Sequence, residues 1–381
     1  MKKLYSILFI LTLGYTQAAV ITVDNASDSN ADYSDLQVAI DSANAGDTIY
    51  VAGSNTSYGS AVIEKSLSLF GAGHNPNTQR GLPSKISSFQ LRYDIGEGTY
   101  ASNSVISGFW ITSSCVITGR NVDNKLENLK IIRNRFAHTV STSLSLTYVD
   151  GVTVKHNLFG NKITLGNGEG RSLNVSIANN LILGGINQGY GSSIIIQHNT
   201  ILGFYGGNSS TQRFTFSDNL WVFRWTGSSD FYLLGAEGDG TAAGLVVNNN
   251  YIYHHEKGTG TISLAPAEDM SGSGNVEGEL PIFEDFVFAD HLTSPSNIVL
   301  SLPQINLRLD PSSPGYDDAG DGTQVGMYGG SDPFPSGDTA GGVYDLSPVP
   351  TIPQVTEMDL SQTTVGKDGT LNVTFKAKVN N

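Results

Sequence analysis

From residue 131 onward the chain repeats one short phrase: an apolar residue, two intervening residues, Asn, one residue, an apolar residue. It occurs as Ile131/Asn134/Phe136, Val154/Asn157/Phe159, Ile177/Asn180/Ile182, Ile196/Asn199/Ile201, Phe216/Asn219/Trp221 and Val247/Asn250/Ile252. The asparagines are 23, 23, 19, 20 and 31 residues apart. An earlier copy, Val105/Gly108/Trp110, carries Gly where the others carry Asn. The two apolar positions are an odd number of residues apart, so a continuous strand could not point both to one side. The chain must bend between them, and Asn or Gly is the residue expected at a left-handed bend. A period near 20 to 23 with a bend at a fixed place predicts one coil of a parallel β-helix. Coils of this kind stack about 4.8 Å apart. Asn134, Asn157, Asn180, Asn199, Asn219 and Asn250 would then form an internal ladder, each side-chain amide donating to the next and satisfying turn backbone away from water. Trp110 and Trp221 are expected at the inward repeat position.

Upstream, a strand-like stretch at residues 20–23 and a polar run from Asp24 to Asp35 precede Leu36, Ala39, Ile40 and Ala43, which recur at helical spacing. Ser34 is the expected N-cap and Gly46 closes the helix. Strands are expected at 48–51, 61–63 and 66–69. A lone helix ahead of many strands suits the exposed end of a stack. Residues 226–243, inside the interval of 31, exceed one coil and are expected to form an excursion. Beyond Gly330 the text turns to Pro, Gly, Asp and Ser, and residues 371–377 alternate as a strand does. The expected organisation is a signal peptide over 1–18, the β-helix over 19–332, a linker over 333–354 and a short β segment over 355–381.

Composition narrows the function classes. Gly accounts for 44 of 381 residues, while charged residues are only 15%. The single Cys115 excludes an intrachain disulfide framework and a cysteine-based zinc site. A net charge of −14 argues against nucleic acid and anionic membranes as partners. That charge is uneven: residues 1–129 hold 8 basic and 11 acidic groups, 130–257 hold 9 and 7, and 258–381 hold 4 and 17. The middle third alone does not repel an anionic ligand. Lys2 and Lys3, the apolar run 4–13 and Thr16-Gln17-Ala18 before Ala19 are expected to act as an export signal. No later stretch reaches membrane-spanning length. The expected location is extracellular or at a cell surface.

The opening Leu36-Gln37-Val38-Ala39-Ile40-Asp41-Ser42-Ala43-Asn44-Ala45-Gly46-Asp47-Thr48-Ile49, continuing to Lys65-Ser66-Leu67-Ser68-Leu69-Phe70-Gly71, resembles the cap and first coil of the right-handed parallel β-helix, pectin-lyase-like superfamily of bacterial exported proteins. Residues 281–330, with Ser294-Pro295, Ser313-Pro314 and Val325-Gly326-Met327-Tyr328-Gly329-Gly330, are similar to the closing segment of its surface-exported members. The resemblance covers about residues 20–332 and implies an all-β solenoid. Its activities range from lyases, glycosidases and esterases to adhesins, so it does not name one here.

The chemistry of those enzymes is mostly missing. Asp285-Phe286-Val287-Phe288-Ala289 approaches the esterase motif without its partner motifs, and is expected to be a closing strand. Asp24, Asp28, Asp32 and Asp35 lack the Gly and closing Glu of an EF-hand and are expected as loop and helix cap. His254-His255-Glu256-Lys257 has no second ligand cluster, so no metal and no cofactor are expected. Trp225, beside Arg224 and with Tyr232 in the excursion, is the expected sugar-stacking platform. The residues just before the ladder asparagines, Arg133, His156, Asn179, His198, Asp218 and Asn249, are polar in every coil, with Lys155 one step earlier. Stacking would bring His198 beside Asp218, so His198, Asp218, His156, Arg133 and Lys155 are the catalytic candidates if the protein is an enzyme. The expected function is binding of polysaccharide or a cell-surface glycan by a monomer without catalysis; a polysaccharide lyase or glycoside hydrolase acting on an acidic glycan is the alternative.

Overall fold

The computed structural model describes residues 18–73, 82–94, 96, 98, 100–137, 143–166, 171–188, 191–202, 206–207, 214–224, 231–232, 245–255, 262–263, 270–284, 306–334, 337–339, 343–345, 354–360 and 373–378. It is a parallel β-helix. One sheet of 11 strands runs from Val20–Val23 through Thr48–Val51, Ser68–Gly71, Val105–Ser107, Lys130–Ile132 and Thr153–Lys155 to Met270–Ser271, every neighbour parallel. A second, of 14 strands, holds the long strands Ser84–Arg92 and Phe109–Thr118. Past Phe109–Thr118 this sheet divides into two flanks. One continues as Arg135–Phe136, Leu158–Phe159, Leu181–Ile182 and Thr200–Ile201; the other continues as Ser143–Thr147 and Lys162–Leu165. A four-stranded sheet fills the remaining side.

Alternation explains the core. In Ser84–Arg92, Ile86, Phe89 and Leu91 are buried while Lys85, Gln90 and Arg92 are not. Ile106, Ile131, Val154, Ile177, Ile196, Phe216 and Val247 stack in one inward column. Each such side chain contributes about 1.5–3 kcal/mol by leaving water. Cys115 lies in this interior, and burial pushes its thiol up to about 12, so it packs as a small apolar group.

The helix Leu36–Ser42 buries Leu36, Ala39 and Ile40 against the first coil. Its N-cap is Asp35 rather than Ser34: the Asp35 carboxylate accepts the Val38 backbone N–H at 3.0 Å. A carboxylate there also brings a negative charge to the positive end of the helix dipole, which a hydroxyl lacks. Other members of the acidic run are used locally, Asp32 accepting from Thr22 and Asp24 from Ala26.

The ladder is present and longer than the repeat indicates. Asn134 Nδ2 donates to Asn157 Oδ1 at 3.2 Å, and the pattern passes through Asn180, Asn199, Asn219 and Asn250 to Asn275. Each Oδ1 also accepts the backbone N–H of the preceding ladder residue. The left-handed residue is not the ladder Asn, as expected above, but the one before it. Arg133, His156, Asn179, His198, Asp218 and Asn249 have φ between 50° and 58°. Turning the chain one residue early is what sends the following amide inward.

The same register corrects the first copy of the repeat. Gly108, at φ 81°, stands with the left-handed residues, and Phe109 occupies the ladder position, its N–H taken by Asn134 Oδ1. Trp110 therefore faces outward, paired in register with Lys85 and Arg135, whereas Trp221 is buried as expected.

Residues 306–334 form a strap along the outside of the solenoid. Met327, Tyr328, Val325 and Phe334 pack on Leu158, Leu181, Leu220 and Tyr251, which face away from the coil interior, and make a second core separate from the first. Further on, Gly337–Thr339 pairs antiparallel with Val343–Asp345, and Gln354–Leu360 with Val373–Lys378.

Candidate functional site

The polar column before the ladder lies beneath the strap. Its left-handed backbone pushes each side chain out at the corner of the coil, and there the strap supplies partners. Lys155 Nζ donates to Asp332 Oδ2 at 2.6 Å, and His156 Nε2 donates to the Asp332 carbonyl at 3.0 Å while its ring meets Phe334 edge-on. Asn179 Nδ2 donates to the carbonyls of Met327 and Gly329. Asp218 accepts the Gly320 N–H at 2.7 Å through Oδ1 and the Gly326 N–H through its main-chain oxygen. Thr200, on the neighbouring flank, accepts the Met327 N–H.

The structure brings His198 and Asp218 together, with His198 Nε2 at 3.8 Å from one Asp218 oxygen and 3.9 Å from Asp321 of the strap. The imidazole is roofed by Gly329 and Gly330, where a Cβ would fall 2.7 and 3.1 Å from the ring, and the residue is 7% exposed. Burial holds the His198 pKa below its ordinary value despite the two carboxylates. His156 is pushed down to about 4, again chiefly by burial, with Lys155 and Arg133 adding repulsion and Asp332 opposing. Both are therefore neutral imidazoles at neutral pH. Arg133 is lowered by burial and partly restored by the Asp332 charge.

Of the expected sugar-contacting residues, Trp225 lies outside the described residues. Arg224 and Tyr232 sit on the strands Leu220–Arg224 and Phe231–Tyr232, and the latter pairs with Ile262–Ser263. Asp285-Phe286-Val287-Phe288-Ala289, with Glu256 and Lys257, also lies outside the described residues.

A groove that sequence reasoning missed opens at the far end of the long strands. Gln90, Arg92, Tyr93, Val116, Thr118, Gly119 and Arg120 line a space of about 310 Å³. Arg120 Cζ stands 5.6 Å from the Tyr93 ring centroid, and Tyr93 packs edge-on against Tyr100 at 4.8 Å. Arg92 Nε donates to Glu64 at 2.7 Å. The groove joins an aromatic ring to amide, hydroxyl and guanidinium groups. A second groove, about 410 Å³ and lined by Asn174, Val175, Ser176, Ser193, Ile194, Ile195 and Thr215, has neither ring nor charge. Arg92 and Arg120 fall outside the ladder phrase, so the repeat gave no signal for them.

No family model matches the sequence, and no curated protein is detectably similar to it. No helix among the described residues is long and apolar enough to cross a membrane.

Proposed function

We propose that this chain is an exported β-helix protein of the pectin-lyase-like type that binds polysaccharide or a cell-surface glycan, as a monomer and without catalysis. The observation that carries this reading is the Tyr93 groove. A sugar ring offers an apolar face for an aromatic side chain and a rim of hydroxyls for amide, guanidinium and hydroxyl partners. Tyr93, Gln90, Thr118 and Arg120 supply that set at the ends of two neighbouring strands. The alternative, a lyase or hydrolase, rests on the 3.8 Å approach of His198 to Asp218. Binding is favoured because the contacts of that pair belong to the strap, whereas the groove is open.

The test is affinity electrophoresis of the whole chain through a panel of plant, algal and animal polysaccharides, with parallel assays for unsaturated products and new reducing ends. Retardation by at least one glycan without products is expected. Failure to bind any of them, or turnover of one, would remove this reading.

A further inference from the structure

The chain contains two Asp–Pro bonds, Asp310–Pro311 and Asp332–Pro333, and both lie in the strap. Such a bond is open to attack from within. Its nitrogen belongs to a tertiary amide and leaves as a basic secondary amine, while an aspartate oxygen reaches its own carbonyl carbon through a five-membered ring, with the advantage that proximity gives an intramolecular reaction. The surroundings of the two bonds differ.

At Asp332–Pro333 the groups for this reaction are assembled. His156 Nε2 donates to the Asp332 carbonyl oxygen at 3.0 Å and lies 3.9 Å from Asp332 Oδ1, so the carboxylate and its own carbonyl are turned toward one ring nitrogen. Lys155 Nζ holds the other carboxylate oxygen, Oδ2, at 2.6 Å. The imidazole is set by its left-handed corner, at φ 57°, and by the Phe334 ring edge-on to it. The Asp332 side chain is 66% exposed, which admits water. At Asp310–Pro311 the carbonyl accepts the Ser313 backbone N–H, which is no acid, and Asp310 Oδ1 is tied to Ser312.

We infer that Asp332–Pro333 is a self-cleavage site, at which the Asp332 carboxylate attacks its own carbonyl carbon with His156 as the acid, dividing the chain into residues 1–332 and 333–381. Oδ1 forms the new C–O bond, and the oxyanion is held by the His156 N–H. Collapse breaks the bond to the Pro333 nitrogen, which takes the imidazolium proton and leaves as an amine. Asp332 is then a cyclic anhydride. Water opens it to two carboxyl groups and a proton returns to His156, so the sum is hydrolysis of one peptide bond by one water. The cut falls where the β-helix gives way to the linker, and it frees everything from Pro333 onward.

The charged groups facing His156 are Asp332, Lys155 and Arg133, and those facing Asp332 are Lys155, His156 and Arg133. His156 is pushed down to about 4, chiefly by burial. Asp332 is held below the usual carboxylate value: its partial burial opposes the charge, but the Lys155 hydrogen bond and the three cations outweigh it. Imidazolium and ionised carboxylate therefore coexist in mild acid. Cleavage should rise as pH falls towards 4 and decline again once Asp332 is protonated.

The experiment incubates the whole chain, with protease inhibitors, across mild acid and at neutral pH, and reads both Asp–Pro cuts by mass spectrometry. Asp310–Pro311 is the reference within the same molecule, so general loosening, which speeds both bonds, divides out. The expected result is a 332/333 cut at least tenfold faster than the 310/311 cut in mild acid, with the two becoming equal in strong urea at the same pH. His156→Asn should lower that ratio tenfold or more, and Asp332→Asn should abolish the 332/333 cut while sparing the other. Lys155→Gln, which removes a charge that lowers both His156 and Asp332, should move the pH profile upward. Equal cutting of the two bonds in the native chain, an intact 332/333 bond, a ratio unchanged by His156→Asn or a profile unmoved by Lys155→Gln would overturn the inference.

Discussion

Lys155 and Asp332 lie 177 residues apart in sequence and meet at 2.6 Å. Their pair, with the adjacent bond from His156 to the Asp332 carbonyl, fastens the strap to the column of left-handed corners. Asp332 is exposed, so the ion pair itself contributes at most about 1 kcal/mol. More of the stabilisation comes from beside it, where Phe334, Tyr328 and Met327 cover the outward leucines. The polar column and the apolar column together make a docking surface, and the strap matches both.

Phe334 is the first test of that division. It is 1% exposed and packs against Tyr328 and His156. Phe334→Ala should cost on the order of 3 kcal/mol and speed proteolytic cleavage within 306–334, while Asp332→Asn should cost about 1 kcal/mol or less. Equal losses from the two, measured by denaturant melts, would contradict the assignment of most strap affinity to apolar contact.

Asn199 tests the ladder. Its Oδ1 accepts both the N–H and the Nδ2 of Asn180, and its own Nδ2 donates to the carbonyls of Ile177 and Gln197. Leucine at this place fits the volume but leaves those buried groups unpaired. Asn199→Leu should lower stability by about 1–3 kcal/mol, read from the denaturation midpoint. An unchanged midpoint would show that the amides are not needed to satisfy the turn.

These elements differ in how visible they were in the chain. Coil period, inward columns and six ladder residues are legible because the same short phrase recurs in every coil, and the capping helix because its apolar residues fall at helical spacing. Asn275 was not, since Gly272 and Glu277 stand where the phrase needs apolar residues. The first copy was misread by one position because Val105/Gly108/Trp110 and Ile106/Phe109/Ile111 share the same apolar spacing; only inter-strand pairing decides between them. The left-handed residues are Arg, His, Asn and Asp, a mixture that composition does not flag. The strap did leave a trace: Leu158, Leu181, Leu220 and Tyr251 follow the ladder asparagines directly, and an apolar residue next to an inward one must face out and be covered. What covers it lies more than 50 residues away in sequence, beyond the reach of any local pattern.

Glycine contacts give a third expectation. A Cβ on Gly71 would fall 2.4 Å from the Gly108 carbonyl oxygen and 2.9 Å from Ser84 Cβ, both fixed by the neighbouring strands. Backbone must therefore move, and Gly71→Ala should destabilise by about 1–3 kcal/mol. Gly46, with nothing near its Cβ but φ at 94°, should lose about 1–2 kcal/mol in Gly46→Ala, for the left-handed strain alone. A melting temperature unchanged in the Gly71 variant would contradict the close approach of these coils.

The strap should also loosen in mild acid, and the sign follows from which state holds the proton. His156 titrates near 4 in the fold against an ordinary value of 6.5, and His198 is lowered too, both mainly by burial. Between those limits the unfolded chain binds more protons, so stability is complete above about pH 6.5 and falls as pH drops towards 4. His156 alone accounts for about 3 kcal/mol of that loss, at 1.36 kcal/mol for each tenfold change in proton affinity. Asp332 and Asp321 are held below the usual carboxylate value, so their contribution persists through this window and is lost only at lower pH. The groups facing His156 are Asp332, Lys155 and Arg133; those facing His198 are Asp218, Asp321 and Lys155. Asparagine already occupies the same column at Asn179 and Asn249 with φ near 51°, so His156→Asn/His198→Asn keeps the corner while removing both protons from the balance. Denaturation midpoints at pH 7.5, 6 and 5 should decline steeply in the parent chain and much less in the double variant. A flat profile in the parent, or the same slope in both, would mean that burial of these imidazoles does not govern how the strap responds to acid.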